Sequence, residues 1–171
     1  MNGFVEKLFG WAWKRALQGQ TMWLTRVFWF WIPFNWPHRF NIEHLSEGEA
    51  KVTSPFRRAN RNHLGTQHAC ALATVGEFVA GLALLGAFEP AAYRLIMSRL
   101  EVDYVRRADA VITAESAIPQ DVLSDVRQEL QTEGIARRVM ESQLTDAQGK
   151  RVATVHTHWQ IKSWSQVGTR G

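Results

Sequence analysis

The spacing of apolar positions changes several times along this chain, and each change marks an element. Over residues 3–18 the pattern is helical, with Phe4, Leu8, Trp11 and Arg15 near one stripe and Gly19 as a stop. A second helical or irregular aromatic stretch runs to Ile32 and is closed by Pro33 and Pro37. RFNIEHL and EAKVTSPF then alternate roughly, and the Glu-Gly between them predicts a hairpin over 39–45 and 49–56. Residues 57–66 are polar and read as a loop. From about 67 to 85 the chain is apolar on nearly every side, which predicts a buried helix ended by Gly86. Its Ala and Gly residues, among them Ala73, Gly76, Ala80 and Gly81, make it narrow, so that strands or another helix can approach closely.

Beyond the helix the period changes again. RLIMSRLEVDYV and DAVITAESAI read as two strands around Arg106 and Arg107. PQDVLSDVRQELQTEG reads as a helix, with Pro119 near its start and Gly134 as terminator. IARRVMESQLTD, the turn DAQGK and RVATVHTHWQIKSW make a long hairpin. Its second strand sets Val152, Thr154, His156 and His158 on one side and Ala153, Val155, Thr157, Trp159 and Ile161 on the other. The fold class is therefore α+β, an antiparallel sheet wrapped around a central buried helix. The expected division is an aromatic, basic helical extension over 1–38, one domain over 39–164, and a frayed tail over 165–171.

Composition narrows the classes. At 171 residues, with 46% apolar and 21% charged residues, the chain can bury a core without staples. The lone Cys70 excludes an internal disulfide framework. MNGFVEKLFG lacks the uninterrupted apolar run of a signal peptide. Residues 1–40 carry five Lys/Arg against Glu6, whereas fifteen of each sign cancel from 41 onward. That distribution argues against nucleic acid, which requires a dense basic face. Six of the eight tryptophans also lie in the first forty residues, and Arg26 splits an apolar run too short to span a bilayer. The aromatic segment thus either packs over the core or an oligomer interface, or rests on a lipid surface through residues 9–36.

Two features of RNHLGTQHACALATVGEFVAGLALL, residues 61–85, carry chemistry. Its entrance is polar, and its apolar helix holds one carboxylate, Glu77, which is costly to bury unless paired or used. Amides near His68, Ala69 and Cys70 at the helix start could receive a developing oxyanion. A carboxylate near a scissile carbonyl could activate water or attack directly. Asn62 could hold that water or the carbonyl. A Cys70 nucleophile lacks a recognisable Cys-His arrangement, and His156 and His158 lack further ligands for a metal. No cofactor is therefore expected.

NHLGTQH followed by ACALATVGEFVAGLAL, with LEVDYVRRADAVITAE and GKRVATVHTHWQIK, resembles the hot-dog-fold thioesterases over roughly residues 39–164. The motif resembles that of the phenylacetate-type acyl-CoA thioesterases and, more specifically, an uncharacterised thioesterase-like branch, the DUF4442 type. In that family an Asn in the loop is followed six positions later by a His and nine positions after that by an acid. The resemblance assigns catalytic roles to Asn62, His68 and Glu77, and places Gly65, Ala69, Cys70, Thr74, Asp103 and Tyr104 against substrate. Where the family carries two glycines after the His, this chain has Ala69 and Cys70, which narrows the space over the helix start.

His68 and Glu77 stand nine positions apart, about 13 Å of helix rise, and cannot serve one substrate from one helix. The resembling family solves this with a homodimer, in which the acid of one subunit faces the helix start of the other; dimers can pair further into a tetramer. The implied activity is hydrolysis of acyl-CoA or an acyl-carrier thioester, with coenzyme A present only as part of the substrate. The implied location is cytoplasmic, or peripheral at a membrane surface. The rival reading is a non-catalytic acyl-binding or structural dimer. A hot-dog dehydratase would carry a His-Phe-Pro-like context, which is absent.

Overall fold

The computed structural model describes residues 3–164, apart from the side chains of Phe4 and Val5. Phe4 in the first helical stripe and the tail over 165–171 therefore lie outside the described residues. Helices α1 (Gly3–Leu17) and α2 (Thr21–Trp31) lead into a one-turn helix α3 (Asn35–His38). Pro33 ends α2 as expected, whereas Pro37 sits within the single turn of α3, where its missing N–H has no helical partner to lose.

Strands β1 (Asn41–Ser46) and β2 (Glu49–Ser54) form the predicted hairpin, with Val52 paired to Ile42. The central helix α4 (Ala69–Ala87) follows, then β3 (Tyr93–Tyr104), β4 (Ile112–Ala117), α5 (Gln120–Thr132), β5 (Ile135–Thr145) and β6 (Arg151–Ser163). All pairs are antiparallel and the six strands run in the order β1-β2-β4-β5-β6-β3.

One face of this sheet wraps α4, which is the hot-dog fold. Ala153, Val155, Thr157, Trp159 and Ile161 of β6 are all buried on the helix side, as alternation predicts. Against them lie Leu72, Val75, Val79, Ala80 and Ala83 of α4. Two glycines let the helix seat. A Cβ at Gly76 would overlap the side chain of Val155, and one at Gly86 would overlap the carbonyl of Ser46. The expectation that Gly86 ends the helix is corrected: α4 continues to Ala87, and Phe88 takes the C-cap. Gly86 is needed for close approach of β1, not for termination.

The two edges of the sheet differ. The β1 edge is covered by α2: the Ile42 amide donates to Thr25 Oγ1 at 3.0 Å, and Trp29 Nε1 donates to the Phe40 carbonyl at 2.6 Å. The outer edge of β3 has no strand partner among the described residues. One described helix, α4, is long and apolar enough to cross a membrane, but it is the core helix, with half of that span buried.

Candidate active site

Glu77 lies on the side of α4 that the sheet leaves half-covered. Its carboxylate makes no hydrogen bond or ion pair with any described residue. Burial removes water from it and pushes its pKa above the usual carboxylate range. It lines a cavity of about 490 Å³ with Phe78, Gly81 and Leu82 of α4, Phe28 of α2 and its C-cap Ile32, Phe34, and Trp159 of β6. A Cβ at Gly81 would stand 3.5 Å from the Trp159 ring and 4.0 Å from Glu77 Oε1, so ring and carboxylate flank the same gap. Tyr93, Arg94 and Leu95 close the cavity from the start of β3, and Arg94 Nε is buried without a hydrogen-bond partner among the described residues.

A second hollow of similar volume lies on the outer face of the sheet, between His44, Lys51 and Glu115. Its Lys51 and Glu115 neutralise one another at 2.6 Å, and it touches none of the sequence-predicted site residues.

The start of α4 is a separate cluster. His68 is the N-cap, and its Nδ1 accepts the Cys70 amide at 3.0 Å. A neutral His68 ring therefore carries its proton on Nε2. The His68 amide itself donates to the Asn60 carbonyl at 2.7 Å. Of the three amides expected to receive an oxyanion, two are engaged, and only that of Ala69 has no partner among the described residues. Thr74 Oγ1 donates to the Cys70 carbonyl at 2.8 Å, and Tyr104 Oη reaches over from β3 to donate to the Ala69 carbonyl at 2.9 Å. Burial, and then the nearby Cys70, raise the Tyr104 pKa.

The loop before the helix is organised by its own side chains. Asn62 Oδ1 accepts the amides of Leu64 at 2.9 Å and Thr66 at 3.1 Å, and its Nδ2 donates to Thr66 Oγ1 at 2.9 Å. Gly65 completes this turn at φ 75°, a conformation that favours glycine. Gln67 then anchors the loop from inside, donating to the carbonyls of Ser54 at 3.1 Å and Ala110 at 3.2 Å.

The fold thus gathers His68, Ala69, Cys70, Thr74 and Tyr104 at one helix end, with Asn62 and Gly65 in the adjoining loop. Glu77 stands apart, about 13 Å along the same helix. Asp103 is not brought to this cluster: it follows the opposite pleat from Tyr104, pairs with Thr154 of β6, and has its Oδ2 3.9 Å from Nε2 of the diagonal His156. His158 pairs with Glu101 at 3.0 Å. No group of three or more His, Cys, Asp or Glu residues is arranged to hold a metal among the described residues. Gln67, Arg94 and Trp159 were not singled out in sequence. Only the last carried a signal, as a large aromatic residue on the inward side of β6.

Comparisons with known proteins fit this architecture. The model of a domain of unknown function, DUF4442, matches residues 20–161, and the chain belongs to that family. A Pseudomonas aeruginosa protein of unknown function, described as a probable thioesterase, is 28% identical with a TM-score of 0.75, over 82% of this chain and 94% of that one. A Staphylococcus aureus thioesterase variant is 14% identical with a TM-score of 0.64, over 76% of this chain and 98% of that one. A Haemophilus influenzae thioesterase is 12% identical with a TM-score of 0.64, over 81% and 87%. The last two likenesses speak to the fold. No curated protein matches the sequence.

Proposed function

We propose that this member of the DUF4442 family hydrolyses an acyl thioester, with acyl-CoA as substrate, at a site completed by a second copy of the chain. The observation that carries this reading is Glu77: a carboxylate without partners among the described residues, facing an apolar cavity large enough for an acyl group. A structural acid at such a position would be expected to have a hydrogen-bond donor or a cation beside it.

In this reading Glu77 takes a proton from a water as the water oxygen attacks the thioester carbonyl carbon. The carbonyl oxygen gains negative charge and is met by the Ala69 amide of the partner subunit at its helix start. Collapse of the tetrahedral intermediate breaks the C–S bond, and the proton held by Glu77 passes to the departing sulfur, releasing the thiol and the free acid and restoring the carboxylate. The raised pKa of Glu77 makes it a stronger base than an exposed glutamate.

The outer edge of β3, which pairs with no strand among the described residues, supports the dimer. A two-fold axis near the middle of that strand, about Arg99, would bring the partner's Tyr104 beside Arg94. Tyr104 is bonded to the start of α4, and Arg94 lines the Glu77 cavity. The symmetry that extends the sheet would therefore also join the two half-sites.

One observation favours a second reading, a non-catalytic acyl binder: the His68 ring already occupies the Cys70 amide, which leaves a poorer oxyanion site. Free-thiol release from short, aromatic and long acyl-CoAs, with wild type beside Glu77→Gln, decides between them. A fall of ~100-fold in the folded variant fits loss of a positioned base. Equal rates would remove Glu77 from the catalytic role, and no release from any thioester would favour the acyl-binding dimer.

A further inference from the structure

A chain of exposed aromatic rings crosses the N-terminal helices. Trp11 of α1 meets Trp23 of α2 edge-on, with centroids 5.4 Å apart. Phe30 lies two turns further along the same stripe of α2 and meets Trp36 of α3 at 4.8 Å. All four are exposed, Phe30 by 68%. The opposite side of α2, with Leu24, Thr25 and Phe28, is the one that packs inward. The ring-bearing stripe therefore has no role in the core of this chain, and a continuous apolar surface of this kind marks an interaction site.

Charge selects the occupant. No Asp or Glu lies between Glu6 and Glu43, whereas Lys7, Lys14, Arg15, Arg26 and Arg39 do. Two of these cations are mounted on those rings, Arg15 5.5 Å from the centre of Trp11 and Arg39 3.4 Å from that of Trp36, and Arg26 lies 4.5 Å from the half-buried Trp29. A second copy meeting this face about a two-fold axis would set cation against cation with no acid to pair them. Anionic lipid headgroups supply the missing charge, and Trp and Arg are the side chains that sit well at the boundary between headgroup and acyl chain.

The same segment reaches the candidate site. Ile32, Phe34 and Asn35 line the cavity that contains Glu77, and Phe34 is 59% exposed. We propose that α1–α3 dock the protein on an anionic lipid surface, with Phe34 between that surface and the Glu77 cavity, so that an acyl chain enters from the membrane side. The docking stands on its own observations; the route of entry rests on the thioester reading.

The test is co-sedimentation of the full chain with phosphatidylcholine vesicles, with and without phosphatidylglycerol. Arg26→Glu, the double variant Trp23→Ser/Phe30→Ser, and Glu77→Gln run beside wild type. Binding is expected only to the anionic vesicles, weakening with salt. It should fall roughly thirtyfold in Arg26→Glu, the worth of two charges at an anionic membrane, and be lost in the double variant. Glu77→Gln should bind as wild type does. No binding, or equal binding to both vesicle types, overturns the docking. Loss of a larger oligomer in the double variant, without vesicle binding by wild type, assigns the face to a second copy and also overturns it. Docking without any stimulation of thiol release by anionic vesicles overturns the route of entry. Docking with no thiol release under any condition removes the thioester reading, and the route with it, while the docking stands.

Discussion

Tyr104 on the edge strand donates through its hydroxyl to the carbonyl of Ala69 at 2.9 Å, so one side chain ties β3 to the first turn of the core helix. Tyr104→Phe keeps the ring and removes the donor. Because the site is part-exposed and water can replace the lost bond, unfolding in urea should show a loss of only about 0.5–1 kcal/mol. The protein then stays folded, and a several-fold fall in thiol release would report a disturbed helix start. An unchanged rate would confine Tyr104 to a structural tie.

At Gly76, α4 lies hard against β6. A methyl group there meets Val155, whose strand lies between β5 and β3 and cannot move without shifting both. Gly76→Ala should cost about 1–3 kcal/mol by overpacking, despite the better helix propensity of alanine. Adding Val155→Ala should return part of that loss, since the two changes share one contact. Strictly additive losses in denaturant titration would show that the helix sits further from the strand.

These positions also show where sequence was sufficient and where it was not. The buried face of β6 was legible because a central strand with one covered face must alternate, and the core helix because its polar residues are confined to its start and Glu77. The role of Gly86 was not legible. It depends on the carbonyl of Ser46, forty positions away, and the sequence offers no sign that β1 crosses there. Asn62 could be assigned to the loop, but its bonds to Thr66 and Leu64 are choices of local geometry that a motif does not display. Gln67 stayed hidden because its partners, Ser54 at the end of β2 and Ala110 in the loop before β4, are distant in sequence. Asp103 and Tyr104 were placed together by proximity in sequence, although consecutive strand residues face opposite sides.

Burial raises the Glu77 pKa, and this makes stability depend on pH in a definite direction. Between its unfolded value and its raised folded value, the folded state holds the proton that the unfolded state has released. Stability therefore falls as pH rises through that window and is level beyond it. Glu77→Gln removes the titration. The variant should match wild type near pH 4 and exceed it at pH 8, with each ~1 kcal/mol recovered raising Tm by about 2–4 °C. Scanning calorimetry at the two pH values measures this. A variant less stable at pH 8 would mean that the carboxylate has a stabilising partner, such as a residue of the second subunit.

The unpaired edge of β3 is the place to separate a dimer-dependent site from a self-sufficient one. Ile96 on this strand is exposed, as is Met97, and both would be covered if two β3 edges met. Ile96→Lys places a cation on that edge, the device by which natural sheets avoid pairing, and leaves the core side of β6 untouched. The expected species by sedimentation is half the mass of wild type, with the far-ultraviolet spectrum of a folded chain. If, as proposed, the helix start that faces Glu77 belongs to the partner, thiol release should fall by ~100-fold or more in that monomer. Raising the protein concentration should restore dimer and rate together, with the same midpoint. A folded monomer that hydrolyses at the wild-type rate would show that Glu77 and its oxyanion donors lie within one chain, and the two-subunit site would have to be abandoned.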